Sequence, residues 1–249
     1  MTLAIMSALL DEQRGLLEQL SQPRRVQRAG RTFWCGQWAE QDVVLVLSKV
    51  GKVAAATTTT TLIEAFDVKR VVFTGVAGGV GQSVNVGDVV VAQAFIQHDM
   101  DSSPLFARYE IPLYGRDTLA CDEPLSALLL EATHTGIKSA RGHFHHENSV
   151  QDQRVHQGLI ASGDQFVASA QGAAALVSGL KQAGHAPLAV EMEGAAVAQV
   201  CHDYGIPFAA VRTISDRADA QAHVDFSAFV QQVASPYALS IMREFIKLV

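Results

Sequence analysis

The stretch Leu188–Asp219, LAVEMEGAAVAQVCHDYGIPFAAVRTISDRAD, constrains the fold most. Its apolar pattern changes period twice. Leu188–Met192 is a short apolar run, Gly194–His202 carries Ala195, Val197, Ala198, Val200 and Cys201 at helical spacing, and Pro207–Val211 is short and apolar again. Gly205 and Pro207 punctuate the helix exit. The reading is strand, helix, strand, loop. Two carboxylates sit where that layout turns: Glu193 at a strand-to-helix junction and Asp216 just past a strand end. Ligands of open α/β sheets bind at the carboxyl ends of strands. Glu193, Arg212, Ser215 and Asp216 are therefore expected to line one pocket. Taken singly, each acid has a plainer explanation, Glu193 as a first-turn acid facing a helix dipole and Asp216 as a helix cap or turn residue.

The remaining chain supplies more strands and helices. Leu3–Ala8 reads as a buried strand, and Leu16, Leu17 and Leu20 give Asp11–Leu20 a helical spacing that puts Glu12 near a strand end. Gln27–Trp38 and Asp42–Ser48 read as a hairpin. Val53–Phe66 reads as a helix despite the poor helix formers Thr57–Thr61. Lys69–Thr74 is a strand opening into the glycine-rich Gly75–Gln82, which lacks the dinucleotide fingerprint but suits close backbone approach to a ligand. Val89–Ile96 is a further strand. Ser102–Asp122 is irregular, aromatic and punctuated by Pro104 and Pro112, as lids and subunit contacts often are. Helices are expected at Glu123–Thr135, Gln171–Gln182 and Ala238–Val249, with a last helical region starting over His223–Val230. Two strands are expected within residues 139–162, around a connection holding His143, His145, His146 and Glu147. Zinc needs three or four ligands, and no second group completes a set with these histidines or with His156, so a solvated hairpin is the expectation and no metal is assigned. Phe166, just after a strand end, is placed to stack on a planar ligand or to fill the core.

The chain has 249 residues and a net charge of −6. With no basic stripe, nucleic acid and membrane surfaces are not expected partners. Cys35, Cys121 and Cys201 are odd in number and form no CxxC, which fits reduced thiols in the cytoplasm. The apolar start has no positive flank and reads as a strand rather than a signal peptide, and no run approaches the roughly 20 apolar residues of a membrane span. No repeat or linker divides residues 1–249, so one α/β domain is expected, a central mixed sheet flanked by helices.

Seven segments together resemble a known family: MSALLDE (Met6–Glu12), SKVGKVAA (Ser48–Ala55), TGVAGGV (Thr74–Val80), VGDVVVA (Val86–Ala92), SGDQF (Ser162–Phe166), VEMEGAAVA (Val190–Ala198) and RTISDRAD (Arg212–Asp219). Their order and spacing are similar to those of 5′-methylthioadenosine/S-adenosylhomocysteine nucleosidases, members of the purine nucleoside phosphorylase superfamily. The resemblance covers nearly the whole chain, with Gly142–Arg154 as the main exception. It implies a nucleoside phosphorylase-like fold, a nucleoside substrate, no cofactor, and a homodimer in which the Asp101–Tyr114 loop reaches the neighbouring site.

The resemblance also implies roles. Glu12 activates the attacking water, Glu193 holds the ribose hydroxyls with Met192 under the sugar, and Asp216 serves N7 of the purine with Ser215 orienting it. Arg212 helps place the water and glutamate, Phe166 stacks on the base, Val167 offers backbone groups to its edge, and Phe226 walls the sugar. Val76, Ala77 and Gly78 form the glycine-rich wall. Many relatives carry a hydroxyl where Val76 stands, and in phosphorolytic ones it binds phosphate, so valine favours hydrolysis. The chemistry suits these residue types: protonating N7 lets adenine leave neutral, and a carboxylate stabilises the cationic sugar. The alternatives are a phosphorylase, a nucleosidase for AMP or a futalosine-like compound, and a non-catalytic nucleoside-binding protein.

Overall fold

In the computed structural model, residues 1–140, 153–218 and 229–249 are described. β1 (Leu3–Ser7) shows why helices cover both faces of the sheet: all five of its residues are buried. Because side chains alternate along a strand, Ala4 and Met6 enter one apolar cluster and Leu3 and Ile5 the other. α1 (Lys52–Phe66) and α4 (Gly194–Tyr204) pack on the first cluster through Ala55, Leu62, Ala195 and Val197. The second is closed by α2 (Glu123–Ala140) and α5 (Ser235–Ile246), through Leu129, Tyr237, Ile241 and Phe245.

The other strands are β2 (Ser21–Arg28), β3 (Arg31–Trp38), β4 (Gln41–Leu47), β5 (Arg70–Gly79), β6 (Val89–Gln97), β7 (Thr118–Ala120), β8 (Val155–Ser162), β9 (Ala189–Glu191) and β10 (Phe208–Asp216). β5 is the branch point. It pairs in parallel with β1 and β10, and its last residues pair antiparallel with β9. From β10 the pairing continues through β6 and β8 to β9, closing a ring of strands back onto β5. From β1 it continues outward as an open wing, β4, β3, β2. The mixed sheet and flanking helices agree with the sequence reading. α3 (Ala170–Gln182) lies between β8 and β9 in the chain and begins at Ser169, whose hydroxyl accepts from the Gly172 N–H at 3.1 Å.

Three local expectations are corrected. Asp11–Leu20 is not a helix but two 3₁₀ turns, Asp11–Gln13 and Leu17–Gln19, interrupted by Gly15 at φ +82°. A Cβ on Gly15 would come to 3.0 Å from the tip of the Leu239 side chain, but it is the positive φ that calls for glycine. The glycine-rich segment is not a loop up to Gly79; it continues β5. A Cβ on Gly78 would come to 3.1 Å from Ala218 and Asp216 and one on Gly79 to 3.0 Å from Ile214, so the small residues let the end of β10 lie close. β2 is a strand of its own, turning back at Ala29–Gly30, where the sequence reading had one long strand. Within α1 the hydroxyls of Thr57, Thr58, Thr59 and Thr61 are each satisfied by the carbonyl four residues back, at 2.7–2.9 Å. The expected connection holding His143, His145, His146 and Glu147, and the helical start at His223, lie outside the described residues.

Candidate active site

A cavity of about 220 Å³ opens at the carboxyl ends of the strands. That is below the range of drug-sized sites, about 300–1,000 Å³, so it suits one small molecule. Its walls come from the turn after β1 (Ala8, Leu9, Glu12), the loop before α1 (Val50), β5 (Val76, Ala77, Gly78), the loop after β8 (Gln165, Phe166, Val167), β9 and its exit (Val190, Glu191, Met192, Glu193) and the end of β10 (Ser215, Asp216).

Glu12 reaches the cavity from the first 3₁₀ turn and is buried. Oε2 accepts from the N–H groups of Ala8 and Leu9, each at 2.8 Å, and Oε1 accepts from Val76 N–H at 3.1 Å. Burial pushes its pKa above the usual carboxylate range, against these hydrogen bonds and the nearby Arg212 charge. An ideal Cβ on Gly75 would stand 2.8 Å from Oε1, so glycine is needed for Glu12 to lie against β5.

Glu193 is the N-cap residue of α4, yet its side chain does not cap the helix. Instead Oε1 accepts from Gly51 N–H at 2.7 Å. It is free to do so because Glu191 takes over the helix terminus. The Glu191 carboxylate accepts from the N–H groups of Glu193 and Gly194, from the Ser162 hydroxyl, and from Arg212 at 2.8 Å. Such charge-assisted bonds at a helix N-terminus are favourable. Burial, with the Glu191 charge adding, raises the Glu193 pKa to about 8.

Asp216 ends β10 after a register shift between Ile214 and Asp216. That bulge re-aims the strand end, and Ser215 and Asp216 both face the cavity. Asp216 Oδ2 accepts from the Ser215 hydroxyl and Oδ1 from Ala218 N–H, both at 2.7 Å.

The structure therefore brings Glu12, Val76, Ala77, Gly78, Phe166, Val167, Met192, Glu193, Ser215 and Asp216 around one cavity. Arg212 is not among the lining residues, contrary to the pocket expected from its stretch. It is 1% exposed, pairs with Glu191 and lies over the Phe73 ring at 4.0 Å, because a guanidinium in a buried strand requires a carboxylate partner. Phe226 lies outside the described residues. Glu191 was missed; the available signal was the charged Arg212 inside an apolar strand, which called for a second acid.

The raised acids set a pH dependence. Glu12 and Glu193 hold protons in the folded chain at pH values where the unfolded chain has released them, so stability falls as pH rises between about 4.5 and about 8. Thermal melts of the ligand-free protein are expected to fall by a few degrees from pH 5.5 to 8.5, about 1–2 kcal/mol, with a shallower slope in Glu193→Gln. A melting temperature that rises over this interval would contradict the assignment.

Buried acids facing a cavity at strand ends, with an apolar slot beside them, are the arrangement of a small-molecule enzyme site. The chain belongs to the phosphorylase superfamily, whose family model matches residues 2–247, and within it to the 5′-methylthioadenosine/S-adenosylhomocysteine nucleosidase family. It is 37% identical over 235 residues, 94% of each chain, to the nucleosidases of that name from Bacillus cereus (strain AH820) and Bacillus anthracis. Among solved structures it is similar to the Neisseria meningitidis nucleosidase in complex with methylthio-immucillin-A, with 33% identity, a TM-score of 0.85, and 100% and 99% of the two chains covered. It is also similar to the futalosine hydrolase of Helicobacter pylori, with 32% identity, a TM-score of 0.84, and 100% and 98% covered.

Proposed function

We propose that this chain hydrolyses the N-glycosidic bond of 5′-methylthioadenosine, S-adenosylhomocysteine or a closely related 5′-modified adenosine, releasing adenine. The observation that carries this reading is the placement of Glu12, Glu193 and Asp216 around one cavity that also holds Phe166. In the proposed reaction the purine stacks on Phe166 with Val167 at its edge. Asp216 gives its proton to N7, the electron pair of the glycosidic bond leaves with the base, and Glu193 holds the ribose hydroxyls over Met192. Glu12 takes the proton of the water that attacks the anomeric carbon, a role its raised basicity suits. Ser215 holds Asp216, and Arg212 acts behind the wall by fixing Glu191.

Two features favour water over phosphate as the nucleophile. Val76 brings no hydroxyl into the cavity, and its N–H is already given to Glu12. Homodimerisation is proposed through the loop of residues 101–114. Tyr109 and Ile111 anchor that loop in the core while Leu105 and Leu113 stand 84% and 90% exposed, ready to be covered by a second copy. A cytoplasmic setting fits the three free cysteines. Among the described residues no helix is long and apolar enough to cross a membrane.

The test is a substrate panel with purified protein: 5′-methylthioadenosine, S-adenosylhomocysteine, adenosine, AMP and a futalosine-like 5′-carboxyaryl nucleoside. The 5′-thio nucleosides are expected to release base faster than AMP by at least about tenfold, since among the described residues no cationic side chain lines the cavity to meet a phosphate. Preferential turnover of AMP or of the carboxyaryl compound would replace the substrate assignment. Binding of adenine without any turnover would indicate a nucleoside-binding protein.

A further inference from the structure

α1 starts without a cap of its own. Gly51 at the N-cap has φ +98° and no side chain. The Lys52 N–H is met instead by a carboxylate from a distant part of the chain, Asp164 Oδ1 at 2.7 Å. Asp164 N–H donates to Asp99 Oδ2 at 2.9 Å, and Asp99 Oδ1 receives the Lys52 ammonium at 2.6 Å. The ring is thereby closed through Lys52. The same ammonium donates to Gln97 Oε1 at 2.9 Å, and the Gln97 amide continues to Gln199 of α4 at 2.9 Å.

None of Lys52, Asp99 and Asp164 lines the cavity, but Lys52 and Asp164 belong to segments that border it, and Asp99 ties those two together. Gly51, next to Lys52, donates to Glu193. Gln165, Phe166 and Val167 follow Asp164 directly. Asp99 opens the 100–116 segment.

We propose that Asp164 is a positioning residue, which caps α1 from the loop after β8 and so keeps the Gly51 N–H on the Glu193 carboxylate while fixing where Phe166 stands. The ring binds the sugar-holding acid and the base-stacking loop into one rigid unit. Among the described residues, four groups face Glu193: Gly51 N–H ahead of α1, Glu191 on β9, Glu12 on the turn after β1 and Arg212 on β10. Only the Gly51 bond passes through the Asp164 ring. Losing it removes a hydrogen bond that favours the ionised carboxylate, so Glu193 would ionise at still higher pH.

The experiment compares wild type, Asp164→Ala and Asp164→Asn by two readouts. The first is the pH titration of the Gly51 amide resonance by NMR, which does not depend on turnover. The second is the pH profile of kcat/KM with 5′-methylthioadenosine, and this one rests on the nucleosidase reading. In wild type the Gly51 resonance follows the Glu193 titration. In Asp164→Ala that response is lost, the acid limb of kcat/KM moves up by about one pH unit, and kcat/KM at pH 7 falls about 30-fold, the scale of a misplaced binding group. Asp164→Asn keeps an oxygen for the Lys52 N–H and is expected within about threefold of wild type. Asp164→Ser replaces the alanine variant if that one does not fold. An unchanged Gly51 titration in the alanine or serine variant overturns the proposal, and so does an asparagine variant as impaired as alanine. If wild type releases no adenine, the nucleosidase reading fails and the Gly51 titration alone decides this one.

Discussion

Glu12→Gln is expected to lower turnover of 5′-methylthioadenosine by about three orders of magnitude, the scale of a general base, while a non-hydrolysable C-nucleoside analogue binds within about tenfold of wild type. The geometry explains both halves. Oε2 serves the N–H groups of Ala8 and Leu9 and Oε1 serves that of Val76. Glutamine can keep its oxygen on the first pair, but its NH₂ then confronts the Val76 N–H, donor against donor, and it has no basicity for a water proton. The cavity walls that contact base and sugar stay in place. Single-turnover adenine release and calorimetric titration of the analogue measure the two effects separately. Turnover near wild type would remove Glu12 from the water-activating role; lost binding with an intact rate would make it a substrate-holding residue instead.

Asp216→Asn is expected to cost two to four orders of magnitude in turnover of adenine nucleosides, the usual contribution of a general acid. Asparagine fills the same space; its one oxygen can keep the Ala218 N–H while its NH₂ faces the Ser215 hydroxyl, which can turn to accept, but it cannot transfer a proton to N7. The loss should therefore depend on the leaving group. A 4-nitrophenyl riboside departs as a stable anion and needs no protonation, so its rate is expected within about tenfold of wild type in this variant. Equal losses on both substrates would mean that Asp216 holds the base rather than protonating it.

Much of this site was legible because the residues occupy places where sequence periodicity changes. Glu193 and Asp216 stand where a strand gives way to a helix or a loop, and such junctions lie at the carboxyl ends of strands. The sheet with helices on both faces follows from the same alternation of short and helical apolar runs. What was hidden depended on tertiary packing. Gly15, at φ +82°, converts a helical leucine spacing into two 3₁₀ turns, and it packs against Leu239, more than 200 residues away in sequence. The glycines of β5 read locally as a loop, yet they are strand residues kept small by Glu12 at Gly75 and by the end of β10 at Gly78 and Gly79. Arg212 appeared beside Asp216 in sequence and so appeared to line the cavity. Alternation along β10, and the demand of a buried guanidinium for Glu191, place it behind the wall. The closure of the ring of strands through β9 is carried by few residues, Gly78 and Gly79 with Val190 and Ala189, too short a signal for a periodicity.

In the proposed reaction water, held by Glu12, is the nucleophile. The most direct test of this is product analysis of purified protein acting on 5′-methylthioadenosine, first in rigorously phosphate-free buffer and then with phosphate added, following the sugar by ¹H and ³¹P NMR. Adenine and free 5-methylthioribose are expected at the same rate in both, with no sugar phosphate. Adenine release that begins only when phosphate is added, with a sugar 1-phosphate as product, would contradict it and make the chain a phosphorylase.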